Sequence, residues 1–303
     1  MKRIILIMLS ALSLWACDKQ HQKTDAEKMH LKGKVKSVRG ITYDAVQKFG
    51  KVERGRKSGF VDDNYYVVFN EEGNQIEGID YNLDRKWANL YDEKGNRIEE
   101  VRYSLDGRLE DKGTLAYDEK GNCVEVVRYN SEGDIEAKWT YAYDEKGNRI
   151  EEVGYNSKGN IDTKSILAYD EKGNCIEEIR YDSEGNVDRK WANLYDEKGN
   201  HIEEVRYNSE GNVDRKSTLV YDQKGNCIEL VRYDAVGVDE KVTLAYDDEG
   251  NKIEQVFYNL DGSVDRKYTY SYEYDTHHNF IKAITYKNDK AESIAEREIT
   301  YYE

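Results

Sequence analysis

Two side-chain types recur at fixed intervals along this chain, and both have the chemistry to hold a ligand. Glutamates stand at Glu99, Glu125, Glu151, Glu177, Glu203 and Glu229, one every 26 residues, and tryptophans at Trp87, Trp139 and Trp191, one every 52. An indole stacks on the face of a sugar ring, and a carboxylate accepts hydrogen bonds from sugar hydroxyls. If the two series share a face, Trp87, Trp139, Trp191, Glu99, Glu125, Glu151, Glu177 and Glu203 form a ladder of ligand contacts. The same residue types also suit a partly wet, aromatic interior with no ligand, and the pattern favours that structural role over binding.

Catalysis finds little to work with. A carboxylate repeated six times is a poor candidate for a single acid or base tuned by its surroundings. The chain is therefore expected not to be an enzyme, and neither a cofactor nor a metal is implied. His277-His278 stands where a turn should carry Lys-Gly and reads as a worn turn, while the Asp-Glu-Lys-Gly-Asn turns lack the alternating oxygen ligands of a calcium loop. Cys123, Cys175 and Cys227 are 52 residues apart. If each repeat is a pair of strands, neighbouring cysteines are four strands or about 19 Å apart, beyond disulfide reach. Three free thiols filling space on the aromatic face are expected.

The elements that must position these residues follow from the turns. Tyr-Asp-x-x-Gly-Asn begins at Tyr91, Tyr117, Tyr143, Tyr169, Tyr195, Tyr221 and Tyr246, with worn copies at Phe69 and Tyr274 and a weaker second turn, such as residues 207–212, inside each repeat. An Asp opening a type I turn and a Gly able to take positive φ fit a three-residue hairpin loop. The intervening segments are rich in Val, Ile, Tyr, Trp and Thr, and no proline interrupts them. Counting outward from the turns puts Tyr91 opposite Arg97, Trp87 opposite Val101, Tyr103 opposite Leu109, Arg102 opposite Glu110 and Glu100 opposite Lys112. Strict alternation then gathers Trp87, Tyr91, Val101, Tyr103 and the Glu99 series on one face, and leaves Leu90, Ile98 and a lattice of charges on the other. The predicted fold is all-β: tandem antiparallel β-hairpin repeats of 26-residue period, about twenty strands in all. Accumulating twist should curl them into an elongated meander or open β-shell with the aromatic face inward.

The two ends differ from the array. Residues 1–17, MKRIILIMLSALSLWAC, have a basic start and an apolar run too short to cross a bilayer, so they read as a secretory signal. Leu14-Trp15-Ala16-Cys17 resembles a bacterial lipobox, which implies lipid attachment at Cys17 and a membrane as the first partner. Residues 18–30 read as a flexible tether, 31–68 as an N-terminal capping β region, 69–273 as the repeat array and 274–303 as a C-terminal capping repeat. A formal net charge of −15 argues against nucleic acid as a partner.

The motif Tyr91-Asp92-Gly95, repeated as Tyr117-Asp118-Gly121 and onward over roughly residues 65–290, resembles the RHS/YD repeat family, and more weakly MORN-type repeats. The resemblance implies antiparallel hairpins wound into a β-shell. Two features depart from it: the repeat is longer than the usual unit, and no proline is available for a shell-closing motif. Together these readings describe a non-catalytic lipoprotein of the bacterial cell envelope, at the outer membrane or cell surface rather than the inner membrane, that presents an extended surface to a polysaccharide or protein. A structural spacer or adhesin-like element without a specific ligand is the alternative, and a glycan-active enzyme is less favoured.

Overall fold

The Tyr-Asp-x-x-Gly-Asn hairpins of the array share one small network. At the first full turn, the Asp92 amide donates to the Asn96 carbonyl at 2.9 Å and the Gly95 amide to the Asp92 carbonyl at 3.0 Å. The Asp92 carboxylate accepts from the Asn96 backbone and side-chain amides, at 2.8 and 2.9 Å. Gly95 sits at φ +83°, where an L side chain is strained. In the worn turn His278 occupies that place at φ +61°, so the reading of His277-His278 as turn residues holds. His277 stacks on Tyr301 with ring centroids 3.9 Å apart.

The structure, a computed structural model, describes residues 23–58 and 64–303. The segment read as a signal, Cys17 and the start of the stretch read as a tether lie outside them. Among the described residues there is a single short helix, α1, spanning Asp25–Lys28. The strands begin with β1 Val35–Lys48, β2 Lys51–Lys57, β3 Tyr65–Phe69, β4 Gln75–Asp80, β5 Arg85–Tyr91, β6 Arg97–Ser104 and β7 Leu109–Tyr117. They continue with β8 Cys123–Asn130, β9 Ile135–Tyr143, β10 Arg149–Asn156, β11 Ile161–Tyr169, β12 Cys175–Tyr181, β13 Val187–Tyr195 and β14 His201–Tyr207. The last are β15 Val213–Tyr221, β16 Cys227–Tyr233, β17 Val238–Tyr246, β18 Lys252–Tyr258, β19 Val264–Tyr274, β20 Phe280–Lys287 and β21 Lys290–Tyr301.

From β3 to β21 every strand pairs antiparallel with the next, and β1 closes the sheet. Its Val35–Asp44 stretch pairs with β21 on one edge, while Ser37–Gly40 pairs with β3 on the other. The result is a closed ring of 20 strands, with β2 extending from the far half of β1 as an extra hairpin strand. At ~4.8 Å per strand the ring is roughly 30 Å across before tilt is added. The all-β antiparallel hairpin meander expected from the repeats is present and curled, and it closes on itself, which removes both raw edges of the sheet.

Register departs from simple counting in one repeated way. The pairs next to each turn are as expected, Tyr91 with Arg97 and Tyr103 with Leu109, but one residue is then skipped. Ile98 is left without an opposite number, so Leu90 pairs with Glu99 and Trp87 with Arg102; Glu110 is skipped likewise, so Arg102 pairs with Asp111 and Glu100 with Gly113. These are β-bulges, which add a residue to one strand and sharpen its twist. A one-residue slip exchanges the faces of everything beyond it. Tyr91, Trp87, Glu100 and Arg102 therefore share one face, while Tyr103, Val101 and Glu99 occupy the other. The bulges recur in every repeat, so each face keeps its composition along the array.

The first of these faces is concave. One cavity of about 590 Å³ is bounded by Met29 and Leu31 on one side and by Leu244, Tyr246, Lys252 and Tyr272 on the other. Leu31 packs with Val35, Val38, Val67 and Phe69 of β1 and β3. The Met29–Leu31 stretch thus touches β3 and faces β17, which are six strand steps or about 29 Å apart along the sheet, and only a sheet curled around it allows both. The outward face shows the opposite, with Leu90 and Leu194 exposed to 55 and 56%.

Helix α1 caps one mouth of the ring. Thr24 and Glu27 form a capping box, and the Asp25 carboxylate accepts from the Gln75 amide at 3.0 Å. Ala26 and Leu31 bury against Val38, Val67 and Phe69, with Trp87, Ile299 and Tyr301 alongside. The helix thus falls inside the stretch expected to be a flexible tether.

Candidate functional site: the inner wall of the ring

The inner wall is built from rows of equivalent side chains. Nearest the mouth that α1 caps runs the tyrosine row. Five of the hydroxyls donate to a backbone carbonyl 20 residues earlier: Tyr117 to Arg97 at 2.9 Å, Tyr143 to Cys123 at 2.7 Å, Tyr169 to Arg149 at 2.8 Å, Tyr195 to Cys175 at 3.0 Å and Tyr221 to His201 at 2.9 Å. The accepting carbonyls belong to the residue just before a bulge, where the ladder is interrupted. Each tyrosine thus ties its repeat to the preceding one. Burial raises the phenol of Tyr169 to about 12, so it stays a donor at any physiological pH.

Deeper in the wall lie the three tryptophans. Trp87 covers Gly78: a Cβ added there would lie 2.1 Å from Cζ2 of the indole. Trp139 leans over Gly154, whose added Cβ would stand 3.2 Å from its Nε1. Trp191 stands between Glu178 and Arg206 in the ladders of β12, β13 and β14. All three look inward, as the expected aromatic face requires.

The glutamates chosen from the sequence do not join them. Glu99, Glu125, Glu151, Glu177 and Glu203 lie on the outer wall because the bulge precedes them. Each is held by a lysine there: Lys112 at 2.6 Å, Lys138 at 2.5 Å, Lys164 at 2.8 Å, Lys190 at 2.5 Å and Lys216 at 2.8 Å. The acids that do share the wall with tryptophan are the neighbouring residues Glu100, Glu152, Glu178 and Glu204. The doublets Glu99-Glu100, Glu151-Glu152, Glu177-Glu178 and Glu203-Glu204 carried this information, since one member of each must look inward whatever the register. Glu152 is paired with Arg149 at 3.0 Å. Burial lifts its carboxyl above the usual range, and the arginine opposes that rise.

Arginines complete the wall. Arg102 forms an ion pair with Asp111 at 2.9 Å, Arg206 with Asp214 at 2.5 Å and Arg232 with Glu240 at 2.6 Å. The three cysteines stand on the same side, each paired with its tyrosine: Cys123 with Tyr117, Cys175 with Tyr169 and Cys227 with Tyr221. None of the three is in a disulfide, as the strand spacing anticipated. Burial pushes the Cys175 and Cys227 thiols up, away from the reactive thiolate, which suits packing better than redox chemistry.

No family model matches the chain, and no curated protein does. Among solved structures, a porin-like protein from Bacteroides uniformis is similar at 10% identity and a TM-score of 0.39, over 89% of this chain and 98% of that one. A porin-like protein from Bacteroides vulgatus is similar at 13% identity and a TM-score of 0.26, over 72% of this chain and 94% of that one. The Tc holotoxin pore of Photorhabdus luminescens with its TccC3 mutation is similar at 14% identity and a TM-score of 0.31, over 76% of this chain. This chain spans 15% of that toxin chain.

Proposed function

We propose that this protein is a non-catalytic lipoprotein of the bacterial cell envelope, anchored through Cys17, whose ring holds a polysaccharide against its inner wall. The observation that carries the reading is the placement of Trp87, Trp139 and Trp191 on one concave surface, two of them laid over glycines and all interleaved with arginines and acids. Flat indoles beside charged hydrogen-bonding groups form the surface that sugar rings stack on. The repeat itself is of the RHS/YD kind on this reading, since its Tyr-Asp and Gly build the turn and the staple between repeats.

The outer wall supports anchoring over insertion. A lipid-facing barrel needs an outward apolar band about 25 Å tall. Here the same band carries one Lys–Glu pair per repeat, from Lys112–Glu99 to Lys267–Glu254. Those pairs belong in water, which leaves the membrane contact to the lipid.

A glycan array with the full-length protein in detergent tests the proposal. Trp139→Ala combined with Trp191→Ala should lower affinity at least tenfold, while Glu151→Gln, on the outer wall, should leave it unchanged. Silence of the wild-type protein across neutral and acidic glycans would overturn the reading in favour of a spacer.

A further inference from the structure

The cavity under the N-terminal segment has an uneven charge balance. Its acids are engaged: Glu249 pairs with Lys32 at 2.6 Å, and Glu27 accepts from the Thr24 amide at 2.8 Å. Two of its cations have no carboxylate beside them. Among the described residues, neither Lys252 nor Arg297 makes an ion pair. The Lys252 ammonium bonds the Gln255 amide oxygen at 2.8 Å and stands 4.9 Å from the Tyr270 ring centroid. The Arg297 guanidinium lies over Phe280 at 3.7 Å. Arg102, Arg206 and Arg232 on the same wall each have a carboxylate beside them, whereas these two cations do not.

We infer that this cavity, walled by Tyr246, Tyr272 and Phe280 and carrying Lys252 and Arg297, binds a carboxylate-bearing sugar. The size suits it: about 590 Å³ lies within the range of small-molecule sites and accommodates one or two sugar rings. The aromatic wall supplies stacking surface, and the two cations supply the partners a carboxylate lacks in an otherwise acidic protein. Neither feature alone specifies this ligand, because a bare anion would leave the rings unused and a neutral sugar would leave the charges unmatched. Burial also pulls the Lys252 ammonium below the usual lysine range, with no acid to counter it. A bound carboxylate would reverse that cost.

The inference rests on the glycan reading of the ring but concerns a different place, the mouth rather than the tryptophan wall. Calorimetric titration of the full-length protein in detergent with glucuronic acid, glucose and inorganic phosphate tests it. Glucuronic acid should bind at least tenfold more tightly than either control. Lys252→Met and Arg297→Met should each weaken it at least tenfold, and Lys190→Met on the outer wall should not. Thermal melts confirm that each variant is folded, and Lys252→Gln replaces Lys252→Met if it is not. Equal binding of glucose or phosphate, or indifference to both cation variants, overturns the inference. Loss of polymer binding in the tryptophan variants with glucuronic acid binding intact would separate the two sites, and binding of glucuronic acid without any polymer would overturn only the reading of the wall.

Discussion

At the residue scale, the tyrosine that opens each repeat performs two tasks, one legible in the sequence and one not. As a bulky neighbour of a turn it marks the repeat. Its hydroxyl, however, satisfies a carbonyl in the previous repeat, and nothing in Tyr-Asp-x-x-Gly-Asn announces a bond spanning 20 residues. Tyr169→Phe keeps the ring and removes the bond to Arg149. It should cost about 1 kcal/mol, read as a lower urea midpoint with an unchanged slope. The glutamate ladder failed for a related reason. Glu99 and Glu100 are chemically alike, and only a skipped Ile98 decides which faces the tryptophan.

At the scale of the element, the turn chemistry was readable and the strand beyond it was not. Asp, Gly and Asn each have a distinct physical reason to stand in the turn, so its position and its first pair followed directly. A bulge has no comparable signature, because it arises from the twist that paired strands impose on one another. Helix α1 shows a different gap: Thr24 to Glu27 spells a capping box, but the polar composition around it resembled a tether. The turn carboxylates make a testable pH dependence. Those of Asp170, Asp196 and Asp222 are held below the usual range by the side-chain amide of the paired Asn and then by its backbone amide. Because the folded value lies below the unfolded one, their stabilisation is complete above the ordinary carboxylate range and is lost as pH falls through the depressed values. Thermal midpoints should therefore fall as pH drops below the ordinary carboxylate range. The triple variant Asp170→Asn, Asp196→Asn, Asp222→Asn should start lower and fall less.

For the whole molecule, about twenty inward-curling strands were foreseeable from repeat length and twist, but closure was not. The closing strand β1 lies outside the repeat, and its partner β21 is more than 240 residues away. Side chains of the seam are among the most buried in the protein, with Val38 at 0% and Ile294 at 1% exposure. Deleting residues 290–303 removes β21 and leaves β1 and β20 with open edges. The truncated protein should aggregate by edge pairing, and a monodisperse monomer on size-exclusion chromatography would show that the seam is dispensable.

Closure also sets an arithmetic rule. A circle in which every neighbour runs the opposite way must contain an even number of members, and each 26-residue copy contributes two. Whole copies can therefore be inserted or lost without leaving the final pair pointing the same direction. The circumference can drift over generations in steps of two, while an odd insertion would leave the circle unable to shut.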